Sequence, residues 1–307
     1  MVSKTIGALR LGSSNLPLGV VIAFSSLQGI ELWPAPSRKE NLGYSPLDIE
    51  RSIWSGLSYE GFEAIKGNFD LTAIRRTTDR NFDPQTLPQL STYNGIDVYS
   101  WNSDENLDKK LALPIFDDVG QGRTLAVQQY DIFGSTQANY VYQMIDASTE
   151  KINSLADNPR YLIMAENLEN MGTMSAVMNP SVMNPESMTW TGWDTAQIAD
   201  FFMKAGQAAP LMGPYTVFAS GLGKDKQGLF VTLVLVYETP EMAESDVFTL
   251  KNRVEYGVNN KDIPWKDEIE SSEVWAEGNA LCARLRGNVF NYWPRLVRDE
   301  PLLAREN

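Results

Sequence analysis

The chain has 307 residues, of which 43% are hydrophobic and 21% are charged. A chain of this length and composition folds around a substantial core, as one large domain or as two of about 150 residues each. Its 26 Lys and Arg against 39 Asp and Glu give a formal charge of -13, which repels polyphosphates and anionic lipid headgroups. The sequence therefore predicts that neither nucleic acid nor an anionic membrane surface is a partner.

The chain contains no histidine and a single cysteine, Cys282. The first fact excludes Ser-His-Asp and Cys-His nucleophiles, an imidazole general base and the common imidazole-containing metal sites. The second excludes an intramolecular disulfide and a multi-thiolate metal site. Cys282 lies in the alternating stretch NALCARLRG, which predicts a small buried hydrophobe.

The apolar run Leu16 to Phe24 is too short to span a bilayer, and its β-branched residues favour a strand. The preceding segment lacks the apolar core and cleavage pattern of a signal peptide. We expect no transmembrane segment, and either a cytosolic chain or one whose export signal lies upstream.

Capping residues predict where the helices begin. A helix capped by Ser45 is expected to run to about Leu57, and a short one capped by Asp70 from Leu71 to about Thr78. Four further helices are expected after Thr136, Asn158, Asp194 and Thr239. The helix after Asp194 should bury Ile198, Phe201 or Phe202, and Ala205, and should stop at Gly206; the helix after Thr239 should bury Ala243, Val247, Leu250 and Val254.

Alternating apolar residues predict strands between the helices. The expected strands are Phe62 to Phe69, Gly95 to Trp101, Thr124 to Phe133, Met174 to Met178, Tyr215 to Leu222, Leu229 to Tyr237 and Glu273 to Arg286.

The order of these elements predicts an α+β fold of two tandem ferredoxin-like (split βαβ) modules with mainly antiparallel sheets. The predicted organisation is residues 1–44 as an N-terminal strand and connection, 45–178 as the first module and 179–307 as the second. The strand at Met174 fits either module. QYDIFGSTQANYVYQMIDAS and LVYETPEMAESDVFTLKNRV both read as strand, Thr cap and helix, which favours a duplication.

The segment FDDVGQGRT contains two acids and two glycines that could belong to a phosphate or cation loop. Gly120 and Gly122 precede a strand, whereas phosphate-binding glycines lie between a strand and a helix. Asp117 and Asp118 are adjacent, so on an extended chain they point to opposite faces, unlike the ligands of a calcium loop. The segment is interpreted as a turn.

Two tryptophans, Trp190 and Trp193 in TWTGWD, are the candidate ligand contacts, because exposed aromatic faces before a helix can stack on a sugar. Interspersed tryptophans also serve as core residues. The methionines between Met164 and Met188 could bind Cu(I), but their irregular spacing favours core packing. No specific pair of carboxylates stands out as catalytic, and no cofactor or metal ligand set is predicted.

Four segments, LSYEGFEAIKGNFDLTAIR, YNGIDVYSW, LAVQQYDIFGSTQANYVYQMIDAS and SLADNPRY, resemble a pattern in extracytoplasmic proteins and lipoproteins of bacteria, Chloroflexota among them. The similarity covers about residues 45–178. Its shared positions are turns and caps such as Gly67 and Asp70. The resemblance implies an exported protein with no established activity, and it implies no catalytic residue.

We therefore predict a non-enzymatic extracytoplasmic binding or scaffold protein that acts through a cleft or interface between its modules, with a protein partner or a small ligand. The alternatives are a carboxylate-based hydrolase acting on glycans and a subunit of a larger complex. The hydrolase would need a cleft with aromatic walls and two carboxyl groups about 5 to 10 Å apart.

Overall fold

The structure is a computed structural model. It describes residues 20–23, 43–44, 48–55, 62–80, 88–101, 123–135, 137–179, 194–259, 261–296 and 301–305. The chain forms two compact units, one built from the described residues between 20 and 158 and the other from those between 159 and 305.

The first unit is an antiparallel sheet with helices. Its strands are β1 Val20–Ala23, β2 Ile49–Ser55, β3 Phe62–Gly67, β4 Gln89–Tyr93, β5 Ile96–Trp101, β6 Arg123–Val127 and β7 Asp131–Ser135. Its helices are α1 Leu71–Arg80, α2 Ala138–Ser148 and a 3-10 turn at Leu155–Asp157. The strand order is β1-β2-β3-β7-β6-β5-β4, and every neighbouring pair is antiparallel. One core cluster includes Ile65, Phe69, Ile74, Tyr99 and Ile132.

The tip of the β4–β5 hairpin is tied to helix α2. Asn94 and Gly95 both have positive φ angles, 52° and 79°, as a tight two-residue hairpin requires. The side chains of Tyr93 and Asn94 donate hydrogen bonds of 2.8 and 2.7 Å to the carboxylate of Asp146, and the ring of Tyr93 lies 4.5 Å from that of Tyr142. These contacts fix the outer end of the sheet.

The second unit contains a five-stranded antiparallel sheet. Its elements are α3 Pro159–Asn170, β8 Thr173–Asn179, α4 Thr195–Ala208, β9 Val217–Asp225, β10 Gly228–Val236, α5 Pro240–Tyr256, a 3-10 turn at Trp265–Asp267, β11 Ile269–Glu277, β12 Ala280–Gly287, α6 Val289–Leu296 and a 3-10 turn at Pro301–Leu303. The strand order is β8-β9-β10-β12-β11.

Both faces of this second sheet are covered. On one face, Leu233 and Leu281 join a large apolar cluster with Ala243 and Leu250 of α5 and with residues of α6. On the other, Cys282 lies opposite Val234 and donates a 3.2 Å hydrogen bond to Asn167 on α3. Strand β10 is therefore apolar on both sides, which explains its continuous run LFVTLVLV.

The α+β class with two modules and antiparallel sheets is confirmed. One split βαβ arrangement is present, because β12 lies between β10 and β11, the two strands that α5 connects. The strand order departs from the ferredoxin-like pattern at β8, which pairs directly with β9 although α4 lies between them in sequence. The division between the units falls after Asn158, so α3 and β8 lie in the second unit. The boundary expected after residue 178 puts α3 in the first module, whereas the strand at Met174 fits either module on sequence.

Four predicted segments differ from the structure. The prediction of a helix to Leu57 is wrong over residues 49–55, which form β2. Ile53 pairs there with Ala64 of β3, so strand pairing outweighs the capping pattern. The single strands expected at residues 124–133 and 273–286 are the hairpins β6–β7 and β11–β12. Helix α4 continues through Gly206 to Ala208.

Candidate functional site

Helix α4 of the second unit forms the first wall of a cleft. Asp194 caps the helix by accepting a 2.8 Å hydrogen bond from the backbone N–H of Gln197, whose side-chain oxygen accepts one of 2.9 Å from the N–H of Asp194. This reciprocal pair fixes the first turn. The helix buries Ile198, Phe201 and Ala205, as predicted.

The second wall is the loop that follows α5. Asn259 is 2% exposed and organises this loop: its side-chain oxygen accepts hydrogen bonds from the N–H groups of Lys261 and Ile263, at 2.8 and 3.1 Å. Its amide donates to Glu268 at 3.3 Å. The loop returns on itself with Asp262 at a positive φ of 59°. An asparagine whose polar groups are used in this way holds the backbone in one conformation.

The third wall is the C-terminal segment, which Arg253 on α5 holds in place. Arg253 is 2% exposed. Its guanidinium donates hydrogen bonds to the backbone carbonyls of Ala209 (3.2 Å), Pro210 (2.6 Å), Leu302 (2.8 Å) and Pro301. Burial lowers the pKa of Arg253 from 12.5 to about 10. One side chain thus ties the end of α4 to the end of the chain.

A second buried charged side chain on α5, Asp246, holds the segment that follows α4. Its carboxylate accepts 2.6 Å hydrogen bonds from the backbone N–H of Gly213 and from the hydroxyl of Tyr237. A Cβ at Gly213 would lie 3.0 Å from the Asp246 carboxylate, so glycine permits the close approach. Burial, followed by the Asp246 charge, raises the pKa of Tyr237 and keeps the hydroxyl protonated.

The cleft between these three walls has a volume of about 230 Å³. Its lining from α4 consists of Gln197, Asp200, Phe201, Lys204 and Ala205. The loop contributes Val258, Asn259 and Asp262, and the C-terminal segment contributes Pro301. The buried members are mainly apolar, whereas the exposed members are polar or charged. The cleft therefore has an apolar floor and a charged rim.

The rim carries two carboxylates and one ammonium. Lys204 forms a 2.9 Å ion pair with Asp200, one helical turn away. The side chain of Lys204 is 59% exposed and that of Asp200 is 50% exposed. The hydrogen bond and charge of Asp200 raise the pKa of Lys204, and the charge of Asp262 acts in the same direction. Carboxylates from two different elements therefore act on one ammonium group at the mouth of the cleft.

Both carboxylates of the rim are accessible to solvent. Asp200 is half exposed and pairs with an ammonium, and Asp262 is exposed. The chemistry that this arrangement offers is attraction of a positively charged group.

The sequence-predicted ligand contacts and the glycine-containing turn fall in parts of the chain that the structure does not describe. Trp190 and Trp193 lie outside the described residues, as do Asp117, Asp118, Gly120 and Gly122. Buried core positions are taken by Met164, Met171 and Met178.

The prediction for Cys282 is confirmed, since the residue is fully buried and burial raises the pKa of its thiol to about 12. Within the described ranges, no group of three or more acidic or cysteine side chains could hold a metal ion. None of the helices in the described part of the chain is both long and apolar enough to cross a bilayer.

Sequence reasoning missed Asp246 and Arg253, although their signal is visible. Both occupy core positions in the helical repeat of α5, between Ala243, Leu250 and Val254. A charged residue at a core position of an amphipathic helix predicts a buried charge with dedicated partners. The loop after α5 carries no comparable signal, because it meets α4 only through the tertiary fold.

No protein-family model and no curated protein matches this chain. Among solved structures, crystal form IV of TP0453 matches 96% of this chain and 96% of its own, with 9% identity and a TM-score of 0.45. Crystal form III matches 92% and 94%, with 9% identity and a TM-score of 0.43, and form I matches 92% and 91%, with 11% identity and a TM-score of 0.40. At these values the likeness carries no inference about ligand or activity.

Proposed function

We propose that the chain is a non-enzymatic binding protein that holds a small ligand in the cleft formed by α4, the loop after α5 and the C-terminal segment. The observation that carries the proposal is an apolar floor with a charged rim, built on walls that are held by the hydrogen bonds of the buried residues Arg253 and Asn259. Preformed concavities of this composition are typical of small-molecule sites.

The size of the cleft limits the ligand. Its 230 Å³ lie below the range of about 300–1,000 Å³ that is typical of sites for drug-sized molecules. The ligand, or the part of it that enters, is therefore a fragment such as one aromatic ring with a short substituent. The sequence prediction placed the site between the modules; the cleft proposed here belongs wholly to the second unit. We also propose that the protein acts outside the cytoplasm, and the resemblance of residues 45–178 to extracytoplasmic proteins is what supports this part.

Rigidity of the walls supports binding without rearrangement. Of the four backbone carbonyls that accept hydrogen bonds from Arg253, two directly follow α4 and two lie in the C-terminal segment. The loop wall is held by the hydrogen bonds of Asn259. A site that is ordered before binding spends less free energy on ordering, which compensates for a small contact area.

The test is a titration of the full chain with 2-phenylethanol, observed by NMR at the alanine and valine methyl groups. A ligand of nine heavy atoms at about 0.4–0.5 kcal/mol per atom binds with a dissociation constant of roughly 1 mM. We expect saturable shifts at Ala205 and Val258. The Ala205→Leu variant fills part of the cleft and should weaken binding at least about fivefold, the loss that steric exclusion of part of a ring produces.

The matched control is Ala199→Leu, the same change at an exposed position of α4 that does not line the cleft. It should bind the probe like the unaltered chain. The proposal is wrong if the unaltered chain shows no saturable shift, or if Ala205→Leu binds as tightly as Ala199→Leu while both remain folded.

A further inference from the structure

The charged rim defines which ligands the cleft prefers. We infer that the natural ligand of the cleft carries a protonated amine next to its apolar part, so that the amine meets Asp200 and Asp262 while the apolar part rests on Phe201, Ala205 and Pro301. This inference rests on the proposed function, because it assigns the ligand class of the same cleft.

The two carboxylates of the rim come from different walls of the cleft, because Asp200 lies on α4 and Asp262 lies in the loop after α5. The ammonium of Lys204 lies 2.9 Å from the carboxylate of Asp200, and the charge of Asp262 also raises the pKa of Lys204. The position already accommodates an alkylammonium group, and a ligand amine presents the same chemistry.

Lys204 is an exchangeable occupant of this position. Its side chain is 59% exposed, and it forms an ion pair with a half-exposed carboxylate on its own helix. Exposed pairs of this kind are held by about 1 kcal/mol or less, equivalent to a fivefold preference. A ligand amine can therefore displace the lysine head into solvent, where its long side chain remains hydrated.

The net charge of the whole chain also favours a cationic ligand. With a formal charge of -13, the protein attracts cations over distances beyond the contacts of the cleft and repels anions. The local rim, with two carboxylates against one ammonium, has the same sign. An amine is thus favoured both on approach and at the site, while an anionic ligand is disfavoured in both.

The experiment compares three probes with one phenyl ring each: 2-phenylethylamine, 2-phenylethanol and phenylacetate. Each is titrated into the full chain at low ionic strength. We expect the amine to bind about 3- to 10-fold more tightly than the alcohol, and phenylacetate more weakly than the alcohol, as the interaction of exposed charges with two carboxylates predicts. Added salt should reduce the amine preference.

Variants assign the preference to the rim. Asp262→Asn should lower the ratio of amine to alcohol affinity by about 2- to 5-fold, and Lys204→Met, which removes the competing ammonium, should raise it by a similar factor. Asp267→Asn removes one exposed carboxylate that does not line the cleft. It therefore makes the same change in net charge, and the ratio should stay near that of the unaltered chain.

The outcomes separate the inference from the proposed function. If none of the three probes binds, the proposed function itself fails. If the alcohol binds but the amine is no tighter, or if Asp267→Asn lowers the ratio as much as Asp262→Asn does, the cleft binds ligands and the assignment to amines is wrong. A Lys204→Met variant that weakens amine binding would also overturn the inference.

Discussion

Replacement of Arg253 by methionine is expected to destabilise the second unit strongly. The three guanidinium hydrogen bonds between 2.6 and 3.2 Å contribute about 1.5–3 kcal/mol each, or roughly 5–9 kcal/mol together. Burial of the charge opposes them: lowering the pKa from 12.5 to about 10 corresponds to about 3 kcal/mol at 1.36 kcal/mol per pKa unit. The free energy of unfolding should therefore fall by about 2–6 kcal/mol, a range that includes the 3–5 kcal/mol typical of breaking a buried charged interaction.

The single cysteine provides the assay for this variant. Cys282 is buried in the second unit and is the only cysteine of the chain, so its alkylation in increasing urea reports the unfolding of that unit alone. Arg253→Met should move the midpoint down by about 0.7 M or more, given a denaturant slope of about 1–3 kcal/mol per M. The control Arg160→Met removes an exposed pair with Glu238 and should cost at most about 1 kcal/mol. Equal midpoints for the two variants would refute the role assigned to Arg253.

Three further predictions concern packing, reactivity and the first unit. Gly221→Ala places a Cβ 2.4 Å from the Thr173 side chain and should destabilise the second unit by about 1–3 kcal/mol. Gly206 lies within α4, and a Cβ there would be 3.8 Å from its nearest neighbour, Leu211, so Gly206→Ala should stabilise the unit by about 0.5–1 kcal/mol. Urea midpoints check both variants. Cys282, whose thiol pKa is raised to about 12 by burial, should resist iodoacetamide at pH 8 in the folded chain. Its contribution to stability should be present below pH 9, the ordinary value, and be lost as the pH rises towards 12, because only the unfolded chain ionises its thiol in that window; Cys282→Ala should flatten this alkaline loss in denaturation measured across pH. Asp146→Ala removes the acceptor of both hairpin-tip hydrogen bonds, so hydrogen exchange should quicken in the β4–β5 hairpin while the second unit is unchanged.

The helices whose start is set by local chemistry were predictable from sequence. The carboxylate of Asp70 accepts from the N–H groups of Thr72 and Ala73 at the start of α1, as its capping position indicated. Asn158-Pro159 and Thr239-Pro240 likewise precede α3 and α5. Caps are read from a few adjacent residues, so no tertiary information is needed.

Elements that depend on long-range pairing were not predictable in the same way. Four of the five residues of strand β4 are exposed, and its alternation of polar and apolar residues is weak. The strand is therefore recognised by its pairing with β5 rather than by its sequence pattern. Helix α6 contains Pro294, which disfavours a helix, and was not predicted. The alternation of polar and apolar residues in β8 indicates a strand but does not indicate which strand it pairs with, so its position beside β9 was not predictable.

The candidate site shows the same division. The Asp194 cap and the buried residues of α4 were predicted from the sequence. The meeting of α4 with Asp262 and Pro301 was not, because these residues lie about 60 to 100 positions further along the chain. The approach of Pro301 depends on Arg253, whose partners are backbone carbonyls, and backbone carbonyls leave no trace in the sequence pattern.

The most direct test of the account is a crystal structure of the full chain soaked with 2-phenylethylamine, with the Ala205→Leu variant soaked in parallel. We expect the phenyl ring against Phe201 and Pro301, the amine within hydrogen-bond distance of Asp200 or Asp262 and the Lys204 head displaced, with no ligand in the variant. An empty cleft at saturating probe, or a probe bound only at another surface, would contradict the central claim that this cleft is the binding site.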